Sequence, residues 1–571
     1  MSLDIILTND DGYNAPGIQT LYDALVAAGE NVHIVAPAEN QSAQGSSLGG
    51  IGAISQPINV TEFSPGNYYV DGRPIVATKT ALEDLFVDHT PDLVISGTNR
   101  GDNTGESANI SGTVNAAVAG LLDGVPAIAV SAGADAHGDY SAGFTHAAQF
   151  TAHLLDRLEE MQAAGAPLLP PGEGLSINVP GDPTLAGVAV TTIDQESSVQ
   201  YPIGQLPSGL YNSTYIANTD PSGNPISEGA QFLTDHITVT PIDGNWTSSE
   251  SDRATLEARL GSLLDQPAPA AHPLNIMLVN DDGYQAPGIA AMRDALLAEG
   301  HHVTVVAPAD NVSGTGTALT LSDFTVTEYD AGYIVGATPS TAVYTGLDAL
   351  LTGEDRPDIV VSGINEGANT GLPAVSSGTI GAAVASIFNY DIPALAVSAG
   401  TDASGHVPDE LYATGAKFVA KLIADLQATA SASGDLLPAG TGLNVNLPVG
   451  ADPNNYAFTE LDAATSAAIS VAPSSTTGQA QFVFNGPVNT DNPHSEGTAF
   501  NNGAITITPI DGNYASDDLS SYQTLADLLG VGYGEPGGSA SLVELAPSAV
   551  DWNEVAAQVQ ANFAATGQWF L

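Results

Sequence analysis

The chain has 571 residues, with 64 Asp and Glu against ten Lys and Arg, a formal charge of −54, and no cysteine. So negative a surface excludes nucleic-acid polymers and anionic membranes as partners, and leaves a small phosphate only where a metal or a helix N-terminus inverts the local field. Disulfides, thiolate metal sites and thiol nucleophiles are excluded with cysteine, and no apolar run reaches the roughly 18 residues of a membrane span.

The first strand starts by Leu3, which leaves no room for a leader, so a soluble protein is expected. Scarce Lys with abundant Gly, Asn, Ser and Thr leans toward an exported or salt-adapted one.

Ile5-Ile6-Leu7-Thr8 reads as a buried strand that delivers Asn9-Asp10-Asp11-Gly12 at its carboxyl end. Pro16 opens a helix carried by Ile18, Leu21 and Leu25 and closed by Gly29. Val32–Ala36 is a second strand, followed by a Ser/Gly-rich loop from Asn40 to Ser47. Tyr68–Val70 reads as a strand and Ile75–Phe86 as a helix. Leu93–Ile95 is a fully apolar strand opening into the loop Ser96-Gly97-Thr98-Asn99-Arg100-Gly101-Asp102-Asn103-Thr104-Gly105. Ser111-Gly112-Thr113 starts a helix through Leu122, and Val125–Ser131 is the next strand. A helix over Phe144–Met161, a strand over Leu175–Val179, β-hairpins over 187–243 and a helix over Leu256–Leu264 complete the half. The strand–helix rhythm predicts a doubly wound α/β sheet, whose ligands sit beyond the carboxyl ends of its strands.

The order then repeats. Asp10-Asp11 returns as Asp281-Asp282, 271 residues on, and Ser42, Asn99, Asn103 and Ser111-Gly112-Thr113 return as Ser313, Asn365, Asn369 and Ser377-Gly378-Thr379. Two tandem mostly parallel Rossmann-like domains are expected, at 1–265 and 274–535, with a Pro/Ala linker at 266–273 and an extension at 536–571. Within that extension Val550–Phe563 has the pattern of an amphipathic helix.

Adjacent carboxylates at one strand end repel each other unless a cation lies between them or they point apart. An Asp-Asp-Gly alone is as readily a capped turn. Ser42, Asn99 and Asn103 at neighbouring strand ends add neutral oxygens, and an oxygen-only set suits Mg²⁺, Mn²⁺ or Ca²⁺ better than zinc. Ser111-Gly112-Thr113 fits a plain helix cap and also a phosphate site at a helix N-terminus. Of eleven histidines only His137 and His406 align loosely between halves, as loop residues. No Gly-x-Ser-x-Gly nucleophile elbow and no P-loop is expected, and no Gly-x-Gly-x-x-Gly follows the first strand.

Taken together, Asn-Asp-Asp-Gly-Tyr-x-Ala-Pro-Gly-Ile, Ala-Pro-x-x-Asn-x-Ser, Ser-Gly-x-Asn-x-Gly-x-Asn-x-Gly, Ser-Gly-Thr, Pro-Ala-x-Ala-Val-Ser and Ile-Thr-x-Thr-Pro-Ile-Asp resemble the survival protein SurE family over nearly all of each half. The resemblance implies a metal-dependent 5′/3′-nucleotidase, a phosphomonoester hydrolase acting on nucleoside monophosphates and, in some members, on short polyphosphate, with one divalent metal per domain, Mg or Mn before Ca. It implies metal ligands Asp10, Asp11, Ser42 and Asn99, and Asp281, Asp282, Ser313 and Asn365. Phosphate contacts would be Asn103, Ser111, Gly112 and Thr113, and Asn369, Ser377, Gly378 and Thr379. The catalytic pairs would be Asp10 with Asp11 and Asp281 with Asp282, one of each orienting or deprotonating the attacking water. The family is cytoplasmic by default, with periplasmic or secreted placement the alternative, and it dimerises through its C-terminal β-region. An intramolecular pseudo-dimer across 187–243 and 455–510 is therefore expected, open to further homo-oligomerisation.

The family's Thr-Pro-x-Asp-Cys is replaced by Arg73-Pro74-Ile75-Val76-Ala77 and Thr338-Pro339-Ser340-Thr341-Ala342, and the aromatic before Ser-Gly-Thr by Ile110 and Ser376. These departures bear on the nucleoside pocket, not on the metal set. Arg100 beside Asn99 and Glu366 beside Asn365 predict a lower KM in half one. The other readings are a nucleotide- or metal-binding module with degenerate catalysis, against which both intact ligand sets argue, and a glycosyltransferase or dinucleotide-binding protein, which lacks its glycine fingerprint.

Overall fold

The computed structural model describes residues 2–531 apart from 183, 196, 221–223, 265, 268, 270–271 and 432–433. The helix expected over Val550–Phe563 and the extension 536–571 lie outside the described residues, and the segment 266–273 is described only in part.

The first half runs β1 (Asp4–Thr8), α1 (Pro16–Ala28), β2 (Asn31–Pro37), β3 (Ile58–Ser64), β4 (Asn67–Val70), α2 (Pro74–Thr80), β5 (Leu93–Arg100), α3 (Gly112–Leu122), β6 (Ala127–Ala132) and α4 (Ser141–Ala163). It continues with β7 (Gly174–Val179), β8 (Gly187–Val190), the hairpin β9 (Ile203–Gln205) and β10 (Tyr211–Ser213), β11 (His236–Ile242) and α5 (Glu250–Leu264). The second half runs β12 (Asn275–Val279), α6 (Pro287–Ala298), β13 (His302–Pro308), β14 (Val326–Tyr329), β15 (Gly332–Val335), α7 (Pro339–Thr345), β16 (Ile359–Glu366), α8 (Gly378–Tyr390), β17 (Ala394–Ala399) and α9 (Asp409–Ala428). It ends with β18 (Gly442–Leu447), β19 (Tyr456–Phe458), the hairpin β20 (Ile469–Pro473) and β21 (Gln479–Phe484), β22 (Ile505–Ile510) and α10 (Leu519–Leu529).

The first half's strands lie in the order β4-β2-β1-β5-β6-β7-β11-β8, parallel from β4 through β7, with β11 antiparallel to β7. The second half repeats it as β15-β13-β12-β16-β17-β18-β22-β19. These are two tandem doubly wound, mostly parallel α/β sheets, each with a C-terminal hairpin region. Local chemistry sets the boundaries. Pro16 stands in the first turn of α1, and Gly29, at φ 103°, closes it with its N–H on the Leu25 and Val26 carbonyls. The helix expected over 75–86 is α2 running into a π-helical turn at Ala81–Leu85. Among the described residues no helix is long and apolar enough to cross a membrane.

Chain order and packing order part at the end of each half. Helix α5 lays Leu256, Leu260 and Leu264 into a core with Ile276, Met292, Val419 and Ile423 of the second half. Its buried Arg253 donates from Nε to Glu460 Oε1 at 2.6 Å, and Arg259 donates to the Leu426 and Leu436 carbonyls at 2.9 and 2.8 Å. Helix α10 returns the exchange, placing Tyr522, Leu525 and Leu529 with Leu154, Leu158, Val188 and Val239 of the first half.

The hairpins cross in the same way. β21 pairs antiparallel with β3 and extends the first sheet, while Tyr211 of β10 forms a bridge with Phe324, their rings 6.2 Å apart. The Ile203 N–H donates to Asp348 Oδ2 at 2.8 Å, and the Val471 N–H donates to the equivalent Glu83 carboxylate. A third core runs through both halves, with Trp246 and Tyr514 fully buried and stacked 5.2 Å apart at its centre.

With a core shared in this way, the two halves are expected to unfold in one calorimetric transition. Trp246→Ala should cost about 3–5 kcal/mol and lower that transition without splitting it. Two resolved endotherms in the unsubstituted chain would show that the halves fold independently.

Candidate active sites at two strand ends

Each site starts from a buried strand that stops on a stapled turn. The Asn9 side chain donates to the Gly12 carbonyl at 3.0 Å and accepts the Gly12 N–H at 3.2 Å, and Gly12 adopts φ 107°, which a side chain would oppose. Asn280 repeats the donor half, Nδ2 to the Gly283 carbonyl at 2.9 Å with Gly283 at φ 98°, while its Oδ1 is buried without a partner. Asp10 and Asp11 are thereby fixed in direction.

Asp10 is buried and its Oδ1 accepts from the Thr113 hydroxyl at 2.6 Å; Asp281 accepts from Thr379 at 2.7 Å. Asp11 accepts from the Arg100 N–H and from Asn40 Nδ2, both at 2.8 Å. Asp282 accepts from the Glu366 N–H at 2.9 Å and Asn311 Nδ2 at 3.1 Å. Asn40 Oδ1 in turn accepts the Ser42 N–H at 3.0 Å, as Asn311 does for Ser313, so one asparagine ties the serine loop to the carboxylate. The serine hydroxyl of half two lies against Asp282.

Asn99 and Asn365 are buried and spend their amide N–H on the carbonyls two residues on, Gly101 and Gly367, at 2.7 and 2.8 Å. Asn365 Oδ1 is buried without a hydrogen-bond partner. Asn103 and Asn369 are held by neighbouring strands. Their side chains donate to Ser131 and Ser398 at 2.8 Å, and their backbone N–H groups to Asn178 and Asn446 at 2.7 and 2.8 Å. The Ser111 and Ser377 hydroxyls cap α3 and α8 by accepting the Val114 and Ile380 N–H. A Cβ on Gly112 would lie 2.6 Å from Asp10 Cβ, and one on Gly378 2.9 Å from Asp281 Cβ. Glycine therefore lets each helix N-terminus stand against its carboxylate.

Burial, and then the Asp11 charge, push Asp10 up to about 7. Burial likewise raises Asp11, against the backbone N–H and charge of Arg100. In half two burial raises Asp281, and burial with the Asp281 and Glu366 charges pushes Asp282 up to about 7. The halves differ outside this set: the Arg100 guanidinium lies 5.0 Å over the Tyr140 ring, whereas Glu366 meets His406 Nδ1 at 3.2 Å. His137 is an exposed loop residue.

Several contributors carry no sequence signal as obvious as Asp-Asp-Gly. Asn40 and Asn311 stand inside the Ala-Pro-x-x-Asn-x-Ser motif, and Ser131, Ser398, Asn178 and Asn446 at strand ends. Fully buried Glu228 accepts from the Gly105 N–H at 2.7 Å and Thr240, and Glu496 from the Gly371 N–H at 2.9 Å and Thr508, each bracing a glycine-rich loop. Their repeated Ser-Glu-Gly was the available clue. Gly45-Ser46-Ser47-Leu48-Gly49 spells the Gly-x-Ser-x-Gly of serine hydrolases but sits in a loop. Its two hydroxyls donate to the Val375 and Gly314 carbonyls of the other half, so it is no nucleophile elbow.

The residues fit a hard divalent cation. Among the described residues no three His, Cys, Asp or Glu gather, but each site pairs two carboxylates that burial leaves short of countercharge with neutral oxygens, one of them the unpartnered Asn365 Oδ1.

The fold and these sites define a class: a tandem doubly wound α/β protein with an oxygen-only, carboxylate-paired site at the same strand end of each half. A sequence profile of the Survival protein SurE family matches residues 5–200 and again 276–469, and the chain belongs to that family. It is 38% identical over 255 residues to the "5'-nucleotidase SurE" of Geobacter sulfurreducens, across 44% of this chain and 91% of that protein. It is 42% identical over 196 residues to the "5'-nucleotidase SurE" of Desulfitobacterium hafniense, across 34% and 70%. The crystal structure of the SurE protein from Aquifex aeolicus matches 44% of this chain and 98% of its own, at 26% identity and a TM-score of 0.37.

Buried acids with raised pKa values set a pH dependence. Besides Asp10 and Asp282, burial pushes Glu228 up to about 8 and Glu496 up to about 7. A carboxyl whose folded pKa lies above its unfolded one stabilises the fold fully below the unfolded value and loses that contribution as pH rises through the folded one. Without metal, the melting temperature should therefore fall between pH 5 and pH 8, and Glu228→Gln should flatten part of the slope. A melting temperature that rises over this interval would contradict the burial assignment.

Proposed function

We propose that both halves hydrolyse phosphomonoesters, nucleoside monophosphates foremost. The observation that carries this reading is a buried carboxylate against a helix N-terminus with a half-buried one beside it, present twice with matching donors from threonine, asparagine and a backbone N–H. The relatives' printed activity supports it. Asp10, Asp11, Ser42 and Asn99 would hold one Mg²⁺ or Mn²⁺, and Asp281, Asp282, Ser313 and Asn365 another. Such an ion supplies charge neutralisation at the phosphoryl oxygens and a more acidic water.

The protein's own groups do the rest. Thr113 and Thr379 hold Asp10 and Asp281 in one orientation by donating to Oδ1. Asn103, with the Ser111-Gly112-Thr113 helix start, meets the phosphate, as Asn369 and Ser377-Gly378-Thr379 do in half two. Asp10 or Asp11 takes the proton of the attacking water, and the leaving oxygen departs in line with it. We take residues 1–265 and 274–535 as the two catalytic units, each completed by the hairpin and terminal helix of the other in an intramolecular pseudo-dimer.

Phosphate release from a nucleotide panel is expected to stop in EDTA, to return with Mg²⁺ or Mn²⁺, and to be lost in the Asp11→Asn, Asp282→Asn double variant. Full turnover in EDTA would refute the metal assignment. At low substrate Asp11→Asn alone should remove most activity and Asp282→Asn little, because a cation near a partly desolvated phosphate is worth about 1–2 kcal/mol, roughly tenfold in affinity. Arg100→Glu should erase the difference. Equal losses from the two single variants would show that Arg100 does not reach the substrate.

A further inference from the structure

The first half has a cavity walled in part by the second. It measures about 370 Å³, within the range of small-molecule sites, and Glu39, Gln41, Asn59, Asp71 and Arg73 line it together with Phe482 of the other half's hairpin. It adjoins the catalytic carboxylates: the Gln41 N–H donates to the Asp10 carbonyl at 2.6 Å, and a Cβ on Gly112 would meet both Asp10 and Pro74, the neighbour of Arg73.

Three features make it particular to half one. The stretch from Ser46 to Arg73 is six residues longer than its counterpart from Thr317 to Thr338, and the extra length carries the helical turn Ile51–Ile54. Phe482 arrives from β21, which extends the first sheet through β3. Half two carries Thr338, Gly336 and Val312 where half one has Arg73, Asp71 and Gln41. Thr338 turns inward, its hydroxyl donating to the Ala318 carbonyl at 2.6 Å.

Arg73 is one of ten basic residues in a chain with 64 acidic ones. It is half-buried and its guanidinium donates to the Gln41 side-chain carbonyl. Its remaining donors face a cavity whose wall also holds the Asp71 and Glu39 carboxylates. Two carboxylates oppose a second phosphate there. A neutral group with paired acceptors for the arginine fork and donors for a carboxylate satisfies the wall.

We infer that this cavity is a nucleobase pocket that selects 6-oxopurines, guanine above adenine, for the first site alone. Guanine offers O6 and N7 to the guanidinium and N1–H and N2–H₂ to a carboxylate, with its face open to stacking on Phe482. Adenine places an amino donor where the fork needs an acceptor. The assignment rests on the phosphomonoesterase reading of the same site, since the base is the far end of the leaving group.

Isothermal titration of the full chain with guanosine and with adenosine tests it without turnover. Guanosine is expected to bind once per chain and about tenfold more tightly than adenosine. Arg73→Thr, the residue of half two, should bring the two affinities together, and Phe482→Ala should weaken both alike. Equal affinities in the unsubstituted chain, a guanosine preference unmoved by Arg73→Thr, or full affinity for both nucleosides in Phe482→Ala would each overturn the pocket. A chain that releases no phosphate from any nucleotide would refute the hydrolase reading instead, and the guanosine titration would still decide the pocket.

Discussion

Asp10 and Asp11 are sequence neighbours and share one strand end, Asp10 buried and Asp11 half-buried. Two like charges about 4 Å apart cost roughly 4 kcal/mol at an effective dielectric of 20, and desolvation adds to that. The surrounding structure is arranged against this cost. Thr113 and Asn40 donate side-chain hydrogens, the Arg100 N–H donates from the next strand, and Gly112 brings a helix N-terminus into contact. What these donors leave uncompensated is answered by a proton, which is why Asp10 lies near 7, or by a cation. The second half solves the same problem with the same atoms.

Such positioning needs rigid supports, and each half obtains part of its support from the other. α5 lies on the second half and α10 on the first, while the two hairpins cross between the sheets. Arg253 and Arg259, two of the few cations in the chain, are spent on holding α5 to the far half. Four of the ten positive groups in this chain of charge −54, Arg73, Arg100, Arg253 and Arg259, stand at a site edge or at this crossing, where a single cation alters the local field most.

The doubly wound sheet and the carboxylate turns were legible because parallel strands buried on both faces read as short apolar runs and end abruptly in polar residues. Ile5–Thr8 before Asp10 and Leu93–Ile95 before Asn99 are such places, and repetition removed the remaining ambiguity. The Ser111 cap was legible too, because Ser-Gly-Thr carries the same chemistry in any helix start. What stayed hidden depends on distance in sequence. Asn178 and Ser131 matter because β7 and β6 bring them beside Asn103, and no local pattern reports that. The destination of α5 is equally silent, since Leu256, Leu260 and Leu264 make the same apolar stripe whichever half they cover. The Arg73 cavity needed three distant segments, one of them from the other half.

The proposed function requires two oxygen-only cation sites in one chain, each built on adjacent carboxylates. Calorimetric titration of the metal-free chain with Mn²⁺ tests it most directly. Two ions per chain are expected, falling to one in Asp11→Asn or Asp282→Asn and to none in the double variant. A stoichiometry of one in the unsubstituted chain, or two ions retained by the double variant, would contradict it.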